Sequence, residues 1–249
     1  PNFDALISLM PLETLYLLSF KNYSEANLRF SPRINVLVGR NGSGKTNLLD
    51  AIFYLGFTKS AFSSSDQQCI TQGQNFFLIK GEIKKSETLN EIISSVQIGS
   101  KKIFKENAFE YQKLSEHIGK YPVVLIAPDD VNLVREGSEE RRRFFDGIIS
   151  QLDKLYLEHL IQYNQALKLR NALLKMYAER VSAIDWLALE SYDKILIESG
   201  EFIFRRRLGF IQEFLPVFHK YYRFLVENAE SAEIRHSSEL TGKEFLQGL

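Results

Sequence analysis

Cys69 is the only cysteine in this 249-residue chain. The sequence can hold no disulfide framework and no thiolate zinc site, and it suits a reducing cytosol. Neither sign of charge is in excess, since 31 Lys and Arg face 31 Asp and Glu. A nucleic-acid partner would have to be held by local basic patches rather than by overall charge. No apolar run approaches the length of a membrane span. His117, His159, His219 and His236 are scattered without ligand spacing, so no imidazole metal site is expected. No signal peptide is expected, because the first ten residues are short, contain Asp4 and lack a basic start. Met10 is the expected native start, with residues 1–9 an added extension. There is no internal repeat and no low-complexity tract. What remains is ordinary globular composition, 45% hydrophobic and 25% charged, enough for one large domain or two small ones.

What is present is a phosphate-binding signature. Gly39-Arg40-Asn41-Gly42-Ser43-Gly44-Lys45-Thr46 fits G-x-x-x-x-G-K-[ST]. Ile34-Asn35-Val36-Leu37-Val38 reads as a buried strand before it, and Asn47 to Leu55 reads as a helix after it. That strand–loop–helix order argues against a chance match in a Gly-rich turn. Gly39, Gly42 and Gly44 let the backbone turn tightly and aim several N–H groups at one place. The following helix points its positive end there too. Lys45 suits the β- and γ-phosphates, and the Thr46 hydroxyl suits Mg2+. The chain is expected to bind ATP.

Around this motif the pattern divides in two. Leu15–Phe20 and Ala26–Phe30 read as strands. Phe76–Ile83, Glu91–Ile98 and Lys102–Phe104 read as a strand meander, with Gly99-Ser100 a hairpin turn. Leu114–Ile118 suggests a short helix, and Val123–Ile126 a short buried strand that stops at Pro128. Beyond it the period turns helical. Ser138 is the expected cap of one helix, with Glu139 and Glu140 in its first turn. Apolar residues from Leu152 through Tyr156 and Leu167 to Tyr177 recur at helical spacing and are read as core rather than a base-stacking platform. Asp185 should cap a further helix that carries Trp186, Leu189, Leu196 and Ile203 on one face and ends or kinks at Pro216. The fold class expected is therefore α/β, a P-loop core with a mixed sheet and an antiparallel meander, plus a second helical lobe. The boundary is placed at Lys120, giving a nucleotide lobe over 10–119 and a helical lobe over 120–249.

Several segments in this order resemble the RecF family, bacterial recombination mediator ATPases related to SMC and ABC heads. They are Ser19-Phe20-Lys21-Asn22-Tyr23, Ile34 to Ile52, Gly56 to Phe62, Pro128 to Val134, Arg141 to Asp146, and Tyr163 to Leu174. The loop form Asn41-Gly42-Ser43-Gly44-Lys45-Thr46-Asn47 is that of ABC-type and SMC-type heads. The chain departs from the pattern at Ala61-Phe62 and at Leu169. The resemblance implies an ATP-controlled DNA-binding clamp acting in replication, repair and the DNA-damage (SOS) response. Its partners would be single- and double-stranded DNA and the mediators RecR and RecO, and it would help load RecA at single-strand gaps. It also implies an ATP-dependent homodimer, a weak ATPase activity of the complete protein, a cytoplasmic location and no membrane association. Lys21 and Asn22 are placed near the nucleotide by the same resemblance, with a plain surface loop as the alternative. Family members carry a Walker B strand and a signature segment beyond the position of Leu249. Neither occurs here, so the chain is expected to be truncated and to lack a competent hydrolysis site.

Other residues are weighed beside these. Asp129 and Asp130 could orient water or magnesium, though turn-forming Asp after Pro is the simpler reading. Arg141-Arg142-Arg143 and Arg205-Arg206-Arg207 could touch a DNA backbone. Three consecutive helical residues point different ways, however, so some of each trio should be structural. A small-molecule kinase using the same loop would need a lid, for which the stretch around Arg141 is the only candidate. A non-enzymatic interaction module is the third reading.

Overall fold

The computed structural model describes residues 10–135, 137–179, 185–227 and 232–238. The chain divides into two units, Pro1–Val131 and Asn132–Leu249. The first is built on a six-stranded antiparallel sheet of order β2-β1-β3-β4-β5-β6. These strands are β1 Leu12–Phe20, β2 Tyr23–Arg29, β3 Phe76–Lys85, β4 Thr88–Gln97, β5 Ile103–Glu106 and β6 Phe109–Glu110. Alternation sets the register. On β1, Leu15 and Leu17 face inward, and across the ladder Leu17 pairs with Ile79 of β3. One helix, α1 (Lys45–Phe57), lies on that inner face. Its buried side presents Leu48, Asp50, Ala51, Tyr54 and Leu55. Tyr54, Phe20 and Phe77 meet edge to face at its centre.

The boundary between units falls after Val131 rather than at Lys120. The reason is local anchoring of the segment in between. The Tyr121 hydroxyl donates to Glu106 at 2.6 Å, and Lys85 Nζ donates to the Lys120 carbonyl at 3.0 Å. A Cβ on Gly56 of α1 would lie 2.5 Å from Val123 Cγ1, so only glycine lets the helix approach so closely.

Two expected strands are not strands among the described residues. Ile34–Val38 and Val123–Ile126 belong to no helix and no ladder. Along Ile34–Val38 only Leu37 is partly covered. Leu37 packs against the core, while Ile34, Val36 and Val38 are 79%, 77% and 89% exposed. Val124 and Ile126 are exposed in the same way. The apolar runs suggested burial on both faces, whereas only one face is covered here.

The second unit is helical: α2 Asn132–Arg135, α3 Ser138–Leu152, α4 Lys154–Glu179 and α5 Trp186–Leu225. Ser138 is the first residue of α3 rather than its cap; Gly137 holds the cap position without a side-chain bond. The apolar stripe from Leu152 breaks at Asp153, whose carboxylate accepts from the Tyr156 amide at 3.1 Å and so begins α4. Only part of that stripe is core. Tyr156 is fully buried, while Leu155, Leu167 and Leu174 are exposed. Asp185 caps α5 by accepting from the Ala188 amide at 3.0 Å. Trp186, expected on the buried face, is 64% exposed. Pro216 does not end the helix, which continues to Leu225. Its missing N–H removes one bond, and the long apolar face on either side holds the segment helical. No helix among the described residues is long and apolar enough to cross a membrane.

Candidate functional site: a phosphate-binding loop braced by a hairpin

Gly44 opens α1 at φ 99°, in the left-handed region, and Gly42 precedes it at φ 80°. A Cβ at Gly44 would lie 2.6 Å from Asn22 Nδ2. Both the dihedral and the space therefore demand glycine. The first turn of α1 has no side-chain cap and no acidic residue, leaving its amides directed out of the helix end. Lys45 folds back over the loop, with Nζ donating to the carbonyls of Gly39 at 2.8 Å and Arg40 at 2.9 Å. The Ser43 amide donates to the Arg40 carbonyl at 3.2 Å and tightens the turn. Arg40, Asn41, Ser43 and Thr46 are exposed at the rim. The result is a ring of amides, one ammonium and one hydroxyl at a helix N-terminus, the arrangement that binds phosphate oxyanions.

The hairpin between β1 and β2 holds this loop from the side. Phe20 pairs with Tyr23, so Lys21 and Asn22 form a two-residue turn. Asn22 Oδ1 accepts from Asn47 Nδ2 at 2.8 Å, and the Tyr23 hydroxyl donates to the Gly44 carbonyl at 3.1 Å. Asn22 thus stands beside the loop. Lys21 does something else. Its ammonium lies 2.6 Å from Asp50 Oδ2, and the Asp50 side chain is fully buried on α1. Asp50 also accepts from Ser60 Oγ and from the Ala61 amide, each at 2.7 Å. Sequence reasoning passed over Asp50 and Tyr23. The signal for Asp50 was available: a lone carboxylate inside the apolar run Leu48-Leu49-Asp50-Ala51-Ile52.

A second buried network closes the far end of the sheet. Glu106 accepts from the hydroxyls of Tyr111 and Tyr121 and from Lys120. Burial alone would raise its pKa, but the two hydroxyls and the ammonium outweigh it and hold the carboxyl at about 2. His117 is fully buried, with Nε2 2.7 Å from the Leu55 carbonyl. That carbonyl can only accept, so Nε2 carries the proton. Burial pushes His117 down to about 4. These groups support α1 from behind.

The remaining sequence candidates separate by partner. Asp130 Oδ2 accepts from the Ala127 amide at 2.7 Å, which is a turn role. The side chain of Asp129 lies outside the described residues. Arg143 pairs with Glu139 and Glu140, Arg205 with Glu201, Arg206 with Asp153 and Glu213, and Arg207 with Asp146. Among the described residues no cluster of His, Cys, Asp and Glu could hold a metal.

Comparison with known proteins agrees with this geometry. Residues 11–118 match the RecF/RecN/SMC N-terminal domain. A DNA replication and repair protein RecF of Flavobacterium johnsoniae is 43% identical over 237 residues, covering 95% of this chain and 66% of the relative. The protein of the same name from Cytophaga hutchinsonii is 42% identical, covering 96% and 63%. Among solved structures, the recombination mediator protein RecF with ATP superposes with a TM-score of 0.82 at 28% identity, over 96% of this chain and 66% of that one. The chain thus spans a little under two thirds of the length of the curated relatives it matches. With the loop, the bracing hairpin and these likenesses in agreement, the chain belongs to the RecF family.

Proposed function

We propose that this chain is the nucleotide-binding portion of an ATP-controlled DNA replication and repair protein. The carrying observation is the loop itself. Gly42 and Gly44 have the dihedrals, Lys45 the position and α1 the uncapped N-terminus that a triphosphate requires. In this reading the amides from Gly39 to Thr46 cradle the phosphates, and Arg40, Asn41 and Asn47 border them. Lys45 neutralises the β- and γ-oxygens, and Thr46 holds Mg2+. Asn22 stands at the loop edge, while Lys21 orients the turn through Asp50. A Lys45→Ala chain titrated with ATP should lose binding; an affinity equal to wild type would remove the basis of the proposal.

ATP would favour a homodimer in which a partner's signature segment completes the pocket. That dimer would clasp single- or double-stranded DNA and act with RecR and RecO to place RecA at gaps, in the cytoplasm. Relatives named for replication and repair, one solved with ATP in the RecFOR pathway, support this. Sedimentation with and without ATP tests the dimer. DNA affinity should fall steeply with salt. Hydrolysis would be weak and would require residues this chain does not carry. The kinase alternative lacks support, because Arg143 in its only lid candidate is tied to Glu139 and Glu140.

A further inference from the structure

The helical unit holds a cavity of about 210 Å³ between one face of α3, one face of α5 and the extended residues 234–237. Its floor is Ile149 and Phe210, both fully buried. Phe145, Ile211 and Ile234 form apolar walls. The volume exceeds the roughly 150 Å³ that holds a single benzene ring, so one ring system fits. The rim is of opposite character. Arg141, Arg142, Arg235, His236, Ser138 and Ser237 line it, and among the described residues no carboxylate does.

Arg235 is spent on Glu233, but Arg142 and Ser138 have unspent capacity for an anion. Arg142 donates to the Ser138 hydroxyl at 2.8 Å, a neutral acceptor. That hydroxyl, by accepting, keeps its own proton to give. Ser138 opens α3, whose cap at Gly137 makes no side-chain bond. The acidic residues of that first turn, Glu139 and Glu140, are held by Arg143 rather than by Arg142. His236 stands edge-on to Phe204, and its buried Nδ1 has no partner among the described residues. Arg207 is committed to Asp146, so it contributes field rather than a contact.

An apolar slot the size of one ring beneath a cationic, amide-bearing rim matches a nucleotide unit: a base in the slot and its phosphate on the rim. We propose that this cavity is a nucleotide-unit subsite of the helical unit, separate from the phosphate loop, that takes one nucleotide of a single strand through Arg142, Ser138 and the amino end of α3. Its choice of ligand rests on the DNA-binding reading above, and its location rests on the cavity alone. An acidic peptide would satisfy the rim but leave the slot without its ring.

The test uses the full chain, a fluorescent oligo(dT) and free dTMP as separate probes, with ATP binding followed in parallel. Arg142→Glu changes an exposed side chain, so a wild-type melting temperature is expected. Ile211→Trp fills the slot and gives an independent second variant. Both should weaken oligo(dT) about tenfold, and Arg142→Glu should lower the slope of log affinity against log salt by about one, with ATP affinity unchanged. Competition of dTMP with oligo(dT) for the same site would show that the free nucleotide is also a source of the ligand. If wild type binds oligo(dT) and neither variant alters its affinity, the subsite is overturned and the DNA reading stands. If wild type binds ATP but no oligo(dT), the DNA reading fails. In that case the subsite survives only if dTMP binds wild type and not Arg142→Glu. Arg142-dependent binding of poly-glutamate with no nucleotide effect overturns it as well.

Discussion

Lys21 and Asp50 form a 2.6 Å ion pair between a hairpin tip and the helix that follows the phosphate loop. Lys21 has a φ of 52°, a conformation that L-residues with a Cβ rarely adopt. The hairpin turn, the Lys21 amide donating to the Cys69 carbonyl at 2.7 Å, and the ion pair together hold it there. Asp50→Asn would leave the ammonium beside an uncharged amide in a buried setting. The expected loss is about 3–5 kcal/mol of stability, the usual result of breaking a buried pair from one side. Urea unfolding measures it. Replacing both partners, as in Lys21→Met with Asp50→Leu, should recover part of that loss. If Asp50→Asn melts like wild type, the pair is not structural.

Gly44→Ala should abolish ATP binding by two separable effects. The first is the approach of Asn22 to 2.6 Å; the second is the positive φ. In an Asn22→Gly background the collision is gone, but about 1–2 kcal/mol of backbone strain remains. Calorimetric ATP titration of the double variant should therefore show partial recovery. Full recovery would mean that the dihedral is unimportant.

His117 supplies a pH dependence. Its pKa is near 4 in the folded chain against 6.5 in an unfolded one. A folded pKa below the unfolded value means stability is fully present above pH 6.5. It is then lost as pH falls toward 4, because only the unfolded chain takes up the proton. The loss across that window is about 3 kcal/mol. Glu106 and Lys120 face the same ring and act in opposite directions on it. Glu106, held at about 2, adds its own loss only below the ordinary carboxylate range. His117→Gln should flatten the profile between pH 6.5 and 4 in chemical denaturation series.

The arginines of α5 should divide sharply. Arg207 donates to both oxygens of Asp146 and to the Tyr156 hydroxyl, and little of either charged partner is exposed. Arg207→Met should cost about 3–5 kcal/mol by leaving Asp146 unpaired. Arg205 pairs with Glu201 at a side-chain exposure of 76%, and Arg205→Ala should change stability by about 0.5 kcal/mol or less. Melting curves of the two variants make the comparison.

The phosphate loop was legible because its glycines, lysine and flanking apolar runs occur at fixed spacing. The meander was legible because period-two alternation is a local signal; β3 was read from its first residue to within two of its last, while β4 was read three residues late at its start and one late at its end. Helix ends were half legible: Asp185 announced its cap, while Ser138 was misplaced by one position because Gly137 needs no side chain to begin a helix. Ile34–Val38 misled because an apolar run reports affinity for cover, and cover depends on what lies alongside. The role of Lys21 was hidden for a similar reason. A lysine next to a phosphate loop suggests phosphate, and only the fold reveals that Asp50 lies closer.

The bare ridge of Ile34, Val36 and Val38 has a practical meaning for anyone handling this chain. Three water-facing aliphatic side chains within five residues form an apolar surface that a second copy can cover. Self-association of the isolated polypeptide will therefore grow with concentration, and a lysine in place of Val36 will keep it dispersed.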